Sequence, residues 1–277
     1  MNAKFCFVWL MATASAFNLV GQEAAASAVR GERRSGDVKT ITLPGGVPME
    51  MIWCAPGTFE MGSPRHELGR FENEVRHKVT LTKGFWLGKY EVTQRQWESV
   101  MRGNPSRFKS PDNPVDTVSW LDCEVFVRRV NSVLGGLARF PTEAEWEYAC
   151  RAGSETPVSG CGLLPRMAWY DKNSDSQSHP VGVNESNAWG FHDMHGNLLE
   201  WCSDWFTIPT GDATDPLGPP KGSFKVMRGG CWFFFERDCR SAYRLKREPN
   251  LRNCIFGFRL ACSEADFERA KPEGAAK

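Results

Sequence analysis

The clearest periodic pattern in the chain follows Ser119, where apolar residues recur at steps of three and four: Cys123, Phe126, Val127, Val130 and Leu134. This spacing places them on one face of a helix, which Gly135-Gly136 would end. Each of three segments opens with a capping-box pair, in which two side chains satisfy backbone N–H groups reciprocally. The pairs are Thr93 with Gln96, Ser119 with Asp122, and Thr142 with Glu145. They predict three helices, the third ending at Gly153, and no helix is predicted beyond that residue.

Alternating apolar and polar residues predict strands between these helices. Residues 49–54 and 58–61 flank Pro56-Gly57 and predict a β-hairpin. Further strands are predicted at residues 77–82 and 84–92, and short aromatic strands and loops after Gly153. Few helices beside many irregular strands indicate an α+β protein, and 277 residues can form one large domain.

The first residues have the order of a secretory signal. Lys4 precedes the apolar run 5–10, and Ala14-Ser15-Ala16 has the small-x-small form of a cleavage site. The predicted organisation is a signal peptide over 1–21, a disordered linker over 22–39, a domain over 40–265 and a disordered tail over 266–277. Cleavage near residues 24–28 is the alternative. These features predict a secreted or periplasmic protein, with no membrane span after signal removal.

Charge and cysteine content narrow the candidate functions. A formal net charge of +1 gives no electrostatic basis for binding nucleic acid or an anionic membrane. Of ten cysteines, Cys6 leaves with the predicted signal, and an oxidising compartment would pair most of the other nine. No Cys-x-x-Cys or Cys/His cluster has the spacing of a structural zinc site.

Ordered motifs across residues 40–263 resemble the sulfatase-modifying-factor family, also called the formylglycine-generating enzyme family. The motifs are residues 56–62 (PGTFEMG), 89–93 (KYEVT), 118–120 (VSW), 140–148 (FPTEAEWEY), 196–201 (GNLLEW), 229–230 (GG), 240–244 (RSAYR) and 257–259 (GFR). The resemblance implies a single domain of C-type-lectin-like fold. It also implies an activity, since well-known members use copper and O2 to oxidise a sulfatase cysteine to formylglycine.

The chain departs from this family at the copper-binding cysteines. In active members they stand at the fourth and ninth positions after the Gly-Gly pair, which here are Phe234 and Cys239. Counted back from residues 257–259, the loop is three residues shorter, and Cys239 lies near a family disulfide position. One hypothesis is that Cys231 and Cys239 form a rearranged copper pair, because Cu(I) favours thiolates. The preferred one is that both are structural, because phenylalanine cannot bind a metal.

The resemblance also implies disulfides and a calcium site. The implied bridges are Cys150–Cys262 and Cys161–Cys239. The implied structural calcium ligands are the carboxylates of Asp193 and Glu200 with the carbonyls of Gly196 and Leu198, hard oxygen donors of the kind Ca²⁺ prefers. The alternative for this segment is a tight turn whose acids are solvated or bonded to backbone.

An aromatic set offers a candidate binding face: Trp201, Trp232, Phe234 and Phe235. Side chains alternate along a strand, so the three consecutive phenylalanines 233–235 cannot all point inward. We therefore expect an exported, non-catalytic module that binds a protein, peptide or glycan, with a sulfatase among the candidate partners. The alternative is a copper-dependent oxidase that acts through Cys231 and Cys239.

Overall fold

The computed structural model describes residues 33–136 and 138–269, and within these ranges the strands form four small sheets. The first sheet has the antiparallel order β1-β2-β5-β13, and the second has the order β11-β10-β8-β12 with β12 parallel to β8. A third sheet joins β3, β4 and β9, and β6 pairs with β7. In chain order the strands are β1 (Val38–Leu43), β2 (Val47–Cys54), β3 (Gly57–Met61), β4 (His77–Leu81), β5 (Phe85–Gly88), β6 (Ala168–Trp169), β7 (His195–Gly196), β8 (Leu199–Trp205), β9 (Ala213–Thr214), β10 (Lys225–Arg228), β11 (Leu245–Arg247), β12 (Phe256–Gly257) and β13 (Ala261–Ser263).

The α-helices of the described ranges are α1 (Gln94–Val100), α2 (Trp120–Leu134), α3 (Glu143–Arg151), α4 (Leu164–Met167) and α5 (Glu264–Arg269). Short 3₁₀ turns occupy Pro44–Gly46 and Glu236–Cys239. All three predicted capping boxes are formed, at the starts of α1, α2 and α3. The prediction that no helix follows Gly153 is wrong, because α4 and α5 are too short to show a periodic pattern.

The predicted hairpin at Pro56-Gly57 is also wrong, although both of its strands exist. β2 lies between β1 and β5, whereas β3 pairs with β4 in a different sheet. A turn signal marks where the chain reverses but does not determine which strands pair. β2 is an inner strand of the first sheet, and both of its faces are buried over most of its length.

The predicted domain boundaries shift outward at both ends. β1 begins at Val38, two residues before the predicted start. At the other end the Phe267 ring stacks on Trp86 with centroids 4.6 Å apart, so α5 belongs to the domain core rather than to the tail. The predicted signal, most of the linker and residues 270–277 lie outside the described residues. From Arg34 onward the described residues form one compact unit, as predicted.

Aromatic rings pack against one another within the core. Trp97 stacks on Phe126 at 5.3 Å, and Phe126 meets Phe258 edge to face at 5.5 Å. Such pairs fill the space between short elements that have little regular packing of their own. Among the described residues, no helix has the length and apolar character needed to cross a bilayer.

The structure contains neither of the expected disulfides, and each described cysteine is a free thiol. The Cys150 sulfur lies 3.8 Å from His195 Nε2, while Cys262 belongs to β13 and faces Trp86 across the β-ladder. Cys161 is exposed whereas Cys239 is fully buried. The four residues therefore do not form the two bridges that the family resemblance implied.

Candidate functional site

The segment after β10 is held by buried ion pairs to α3. Arg228 contacts Glu147 and donates to the Tyr243 carbonyl. Arg244 forms a bidentate pair with Glu143, at 2.5 and 2.7 Å. Bidentate charge-assisted hydrogen bonds of this kind constrain the relative orientation of the two side chains and are stronger than neutral hydrogen bonds. The arginines of the C-terminal third therefore attach the segment rigidly to the glutamates of α3.

Gly230 allows the chain to fold back on itself immediately after β10. Its φ is 76°, in the left-handed region that favours glycine. A Cβ at this position would stand 2.6 Å from the Cys239 sulfur and 2.7 Å from the Asp238 carbonyl oxygen. Any other residue here would displace the Cys239 turn.

In residues 231–235, which we call the aromatic loop, the side chains at 231 and 232 are buried, that at 234 is half-buried, and those at 233 and 235 are exposed. Trp232 is buried and meets Phe108 edge to face at 5.5 Å, and Phe234 is half-buried against Tyr243. Phe233 and Phe235 are 64% and 62% exposed. The loop thus presents two phenylalanine rings to solvent, so the three phenylalanines do not all point inward, although the segment is a turn rather than the strand on which that prediction was based.

Backbone contacts fix the conformation of the aromatic loop. The Trp232 amide donates to the Asn197 carbonyl at 2.9 Å, and Ser174 Oγ donates to the Trp232 carbonyl at 2.7 Å. The Phe234 carbonyl accepts from the Asp171 amide at 3.1 Å. The exposed rings therefore stand on a preorganised backbone, which lowers the entropy lost when a partner binds.

The structure places Trp201 away from this face. Trp201 is completely buried, lies edge to face with Phe256 at 5.4 Å, and donates its Nε1–H to the Val118 carbonyl. Its inclusion in the candidate binding face was wrong, because β8 is buried on both sides along most of its length. Phe233, which the predicted binding face did not include, is exposed and belongs to that face instead. The run of three consecutive phenylalanines was the feature of the sequence that could have identified it.

Cys231 is the first residue of the aromatic loop and Cys239 follows the loop in the chain, and both side chains are fully buried. Burial raises the pKa of both thiols well above the ordinary value, so neither is a ready thiolate at neutral pH. Because Cu(I) ligation needs thiolates that an incoming substrate sulfur can reach, this pair does not fit a copper site.

Cys254 is a residue of this region that the sequence did not single out. It is half-buried, its carbonyl accepts from Trp232 Nε1 at 3.3 Å, and Arg107 Nη1 lies 3.7 Å from its sulfur. Arg107 and Cys254 lie far apart in sequence, so no local pattern connects them. They border the aromatic loop on the side of Trp232.

The expected calcium ligands are assembled around an arginine. Both oxygens of Glu200 accept hydrogen bonds from Arg259 at 2.6 Å, and Oε2 also accepts from Trp146 Nε1 at 2.8 Å. Asp193 Oδ2 accepts from the Gly182 amide at 2.7 Å. Burial raises the pKa of Asp193 to about 6. Arg259 therefore binds both oxygens of Glu200, whereas Asp193 Oδ1 is buried and has no hydrogen-bond partner among the described residues. Calcium binding by Asp193, Gly196, Leu198 and Glu200 stays a prediction.

A third carboxyl group, Glu91, completes this cluster. Its two oxygens accept from Asn197 Nδ2 and the Leu198 amide, at 2.8 and 2.9 Å. Burial and the neighbouring charges of Asp193 and Glu200 raise the pKa of Glu91 well above its usual range. Within the part of the chain that the structure describes, no three metal-ligating side chains are grouped to hold an ion. The cluster joins β8 to the segments that carry Glu91 and Arg259.

Comparison with known proteins agrees with this architecture. Among relatives, chaperone protein LppX of Paenibacillus barcinonensis is 29% identical over 226 residues, which cover 62% of this chain and 77% of that protein. Formylglycine-generating enzyme of Bos taurus is 31% identical over 197 residues, and the match spans half of that enzyme's length. The solved structure of Treponema denticola variable protein 1 superposes with a TM-score of 0.75 at 28% identity, covering 82% of this chain and 99% of that one.

The family model described as the sulfatase-modifying factor enzyme 1-like domain matches residues 42–264. This range includes the segments that carry the sequence resemblance, as well as α1, α2 and α3 and the sheets that hold the aromatic loop. The C-type-lectin-like α+β architecture predicted from the motifs is therefore correct. The chain belongs to the sulfatase-modifying factor enzyme 1-like family.

Proposed function

We propose that this chain is a non-oxidase member of its family that binds a protein or peptide partner through the aromatic loop. The observation that carries the proposal is the arrangement of this loop. Its two phenylalanines at positions 233 and 235 face solvent on a fixed backbone, while the cysteines at 231 and 239 are inaccessible. Exposed aromatic anchors on a preorganised surface are typical of protein interfaces.

The surroundings of the loop favour a peptide over an apolar ligand alone. Arg107 and Arg237 are exposed on either side, and Lys172 forms an exposed pair with Glu236. Apolar anchors with a charged rim suit an extended peptide segment, whose side chains and backbone can use both. One relative bears the name of a chaperone protein, which is consistent with a protein partner.

The proposed place of action is outside the cytoplasm. Support comes from the sequence of residues 1–21, with its basic start, apolar run and small-residue cleavage pattern. Cell fractionation of a host expressing the full chain, with N-terminal sequencing of the exported product, tests this part. Retention of the uncleaved chain in the cytoplasm would contradict it.

The copper-oxidase alternative is tested directly by incubating the purified protein with Cu(I), O2 and a sulfatase-motif peptide. We expect no aldehyde, because the buried thiols cannot reach a substrate sulfur. Formation of formylglycine, lost in Cys231→Ser or Cys239→Ser, would overturn the non-oxidase proposal.

The binding role is tested by screening a peptide display library against the folded protein. We expect selected peptides to lose at least tenfold in affinity for the double variant Phe233→Ser/Phe235→Ser. The matched control is Leu217→Ser, which removes an equally exposed apolar side chain elsewhere. Equal binding by the double variant would exclude the aromatic loop as the contact surface.

A further inference from the structure

A cavity of about 460 Å³ opens beside the C-terminal end of α3 and shares no residue with the aromatic loop. Its volume lies within the range of small-molecule sites, roughly 300–1,000 Å³. Three separate parts of the chain contribute its walls: β3 with the following loop, the end of α3, and the loop before β7. The lining residues used below are Phe59, Glu60, Tyr148, Arg151, Glu155 and Trp189.

One wall of the cavity is a row of three aromatic rings. The Phe59 and Tyr148 ring centroids are 5.2 Å apart, and Trp189 meets Tyr148 edge to face at 4.9 Å. The Tyr148 hydroxyl donates to the Ala55 carbonyl at 3.2 Å, and a Cβ on Gly57 would stand 2.2 Å from that hydroxyl. The wall is therefore held in place before any ligand arrives.

The cavity is also lined by Arg151, whose guanidinium group is nearly buried and has one nitrogen available for a ligand. Arg151 donates its Nε–H to Glu147 at 2.9 Å and its Nη2 to the Gly62 carbonyl at 2.8 Å. Nη1 has no hydrogen-bond partner in the described part of the chain, and the residue is only 5% exposed. Two fixed contacts thus hold a charged donor at the edge of the cavity, and a charged donor in a partly dry site binds anionic oxygens strongly.

We propose that this cavity binds a small organic carboxylate, with the carboxylate on Arg151 Nη1 and a flat or ring-shaped body against Tyr148 and Trp189. The lining favours a monoanion that carries a ring. Of the two carboxylates in the lining, Glu60 is paired with Arg76, which also lines the cavity, at 3.2 Å. Glu155 is left to repel a doubly charged phosphate, which also has no ring to place against the aromatic wall. The proposal is independent of the aromatic loop and of the proposed peptide partner.

Benzoate is the probe for this site, with benzamide as its neutral isostere. Ligand-observed NMR titration of the folded protein should show benzoate binding at least tenfold more tightly than benzamide. Inorganic phosphate at equal concentration should not displace it. Benzoate and benzamide binding equally well would overturn the role of Arg151, and displacement by phosphate would overturn the preference for a monoanion. Absence of any benzoate binding would overturn the site.

The deciding variants leave Arg151 intact, because removing it would also break its contact with Glu147. Trp189→Ala removes part of the aromatic wall, and Ser154→Glu adds a negative charge at the rim. Each should weaken benzoate binding at least tenfold. Ser132→Glu makes the same change in charge on the exposed face of α2 and should leave binding unchanged. Unchanged binding in both cavity variants would place benzoate elsewhere on the molecule.

Discussion

Glu147 accepts hydrogen bonds from Arg151, Arg228 and the Gly62 amide while its side chain is completely buried. Replacing it by glutamine would remove the counter-charge of Arg151 and leave Arg228 with only its longer pair to Glu143, at 3.4 Å. Breaking a buried ion pair in this way typically costs about 3–5 kcal/mol. We expect Glu147→Gln to lower the free energy of unfolding in urea by that amount. Glu60→Gln breaks an exposed pair with Arg76 and should cost less than about 1 kcal/mol. Equal effects of the two variants would contradict the importance of burial here.

Asp204 gives a second prediction at the residue scale, through its dependence on pH. Burial, followed by the charge of Glu143, raises the pKa of Asp204 from 3.8 to about 7. The folded protein therefore holds this proton more tightly than the unfolded chain does. Its contribution to stability is fully present below about pH 4 and is lost as the pH rises through about 7.

Asparagine at position 204 stays neutral at every pH and so resembles the protonated carboxyl. Relative to the parent, Asp204→Asn should gain about 3–5 kcal/mol in unfolding free energy between pH 4 and pH 8, at ~1.4 kcal/mol per pKa unit. Urea titrations at several pH values measure this difference. Asp175→Asn makes the same chemical change at an exposed position and serves as the control. A flat difference for Asp204→Asn would show that its pKa is not raised.

At the scale of elements, the start of α2 depends on a local signal. Ser119 Oγ accepts from the Asp122 amide at 3.1 Å, and the Asp122 carboxylate accepts from the Ser119 amide at 2.9 Å. Ser119→Ala should cost about 1 kcal/mol in unfolding free energy, as measured in urea. Ser132→Ala, in the exposed interior of the same helix, should be neutral or slightly stabilising. If both variants behaved alike, the cap would have no measurable role.

The contrast between α2 and β2 shows which elements the sequence could reveal. A capping box and an apolar face both lie within a few residues of each other, so all three long helices were predictable. One of the two partners of β2 is β5, more than thirty residues away along the chain, and no local sequence signal indicates that pairing. Short elements such as α4 and α5 contain too few residues to show a period.

The same distinction applies to the candidate site. The sequence indicated that some of the phenylalanines at 233–235 are exposed, but not that they lie in a turn rather than a strand. The burial of Trp201 was not predicted, because the polar residues Glu200 and Asp204 of β8 are buried as well and so do not mark a solvent-facing side. Nor could the sequence indicate that Arg259 donates to both carboxylate oxygens of Glu200, since the two residues lie 59 positions apart. Local chemistry was predictable, and long-range pairing of charges was not.

At the scale of the whole molecule, the nine described cysteines are free thiols and most of them are buried. Only Cys161 is exposed and Cys254 half-buried, whereas the other seven are buried. Burial raises the pKa of Cys150 to about 12, so in the folded protein this thiol is both inaccessible and un-ionised at neutral pH. We expect a thiol reagent to modify two sites quickly in the native protein and the others only after unfolding. Cys161→Ser should remove one fast-reacting site.

The fold itself should therefore be insensitive to reducing agents. Without a disulfide to limit the unfolded chain, dithiothreitol should leave the melting temperature unchanged. Alkylation of the unreduced, denatured protein, followed by peptide mass spectrometry, should find every described cysteine labelled. A fall in melting temperature on reduction, with unlabelled Cys150 and Cys262 peptides, would instead show that the bridge implied by the family resemblance forms. The core would then have to bring β13 and α3 closer together than the structure shows, since Cys150 now contacts His195.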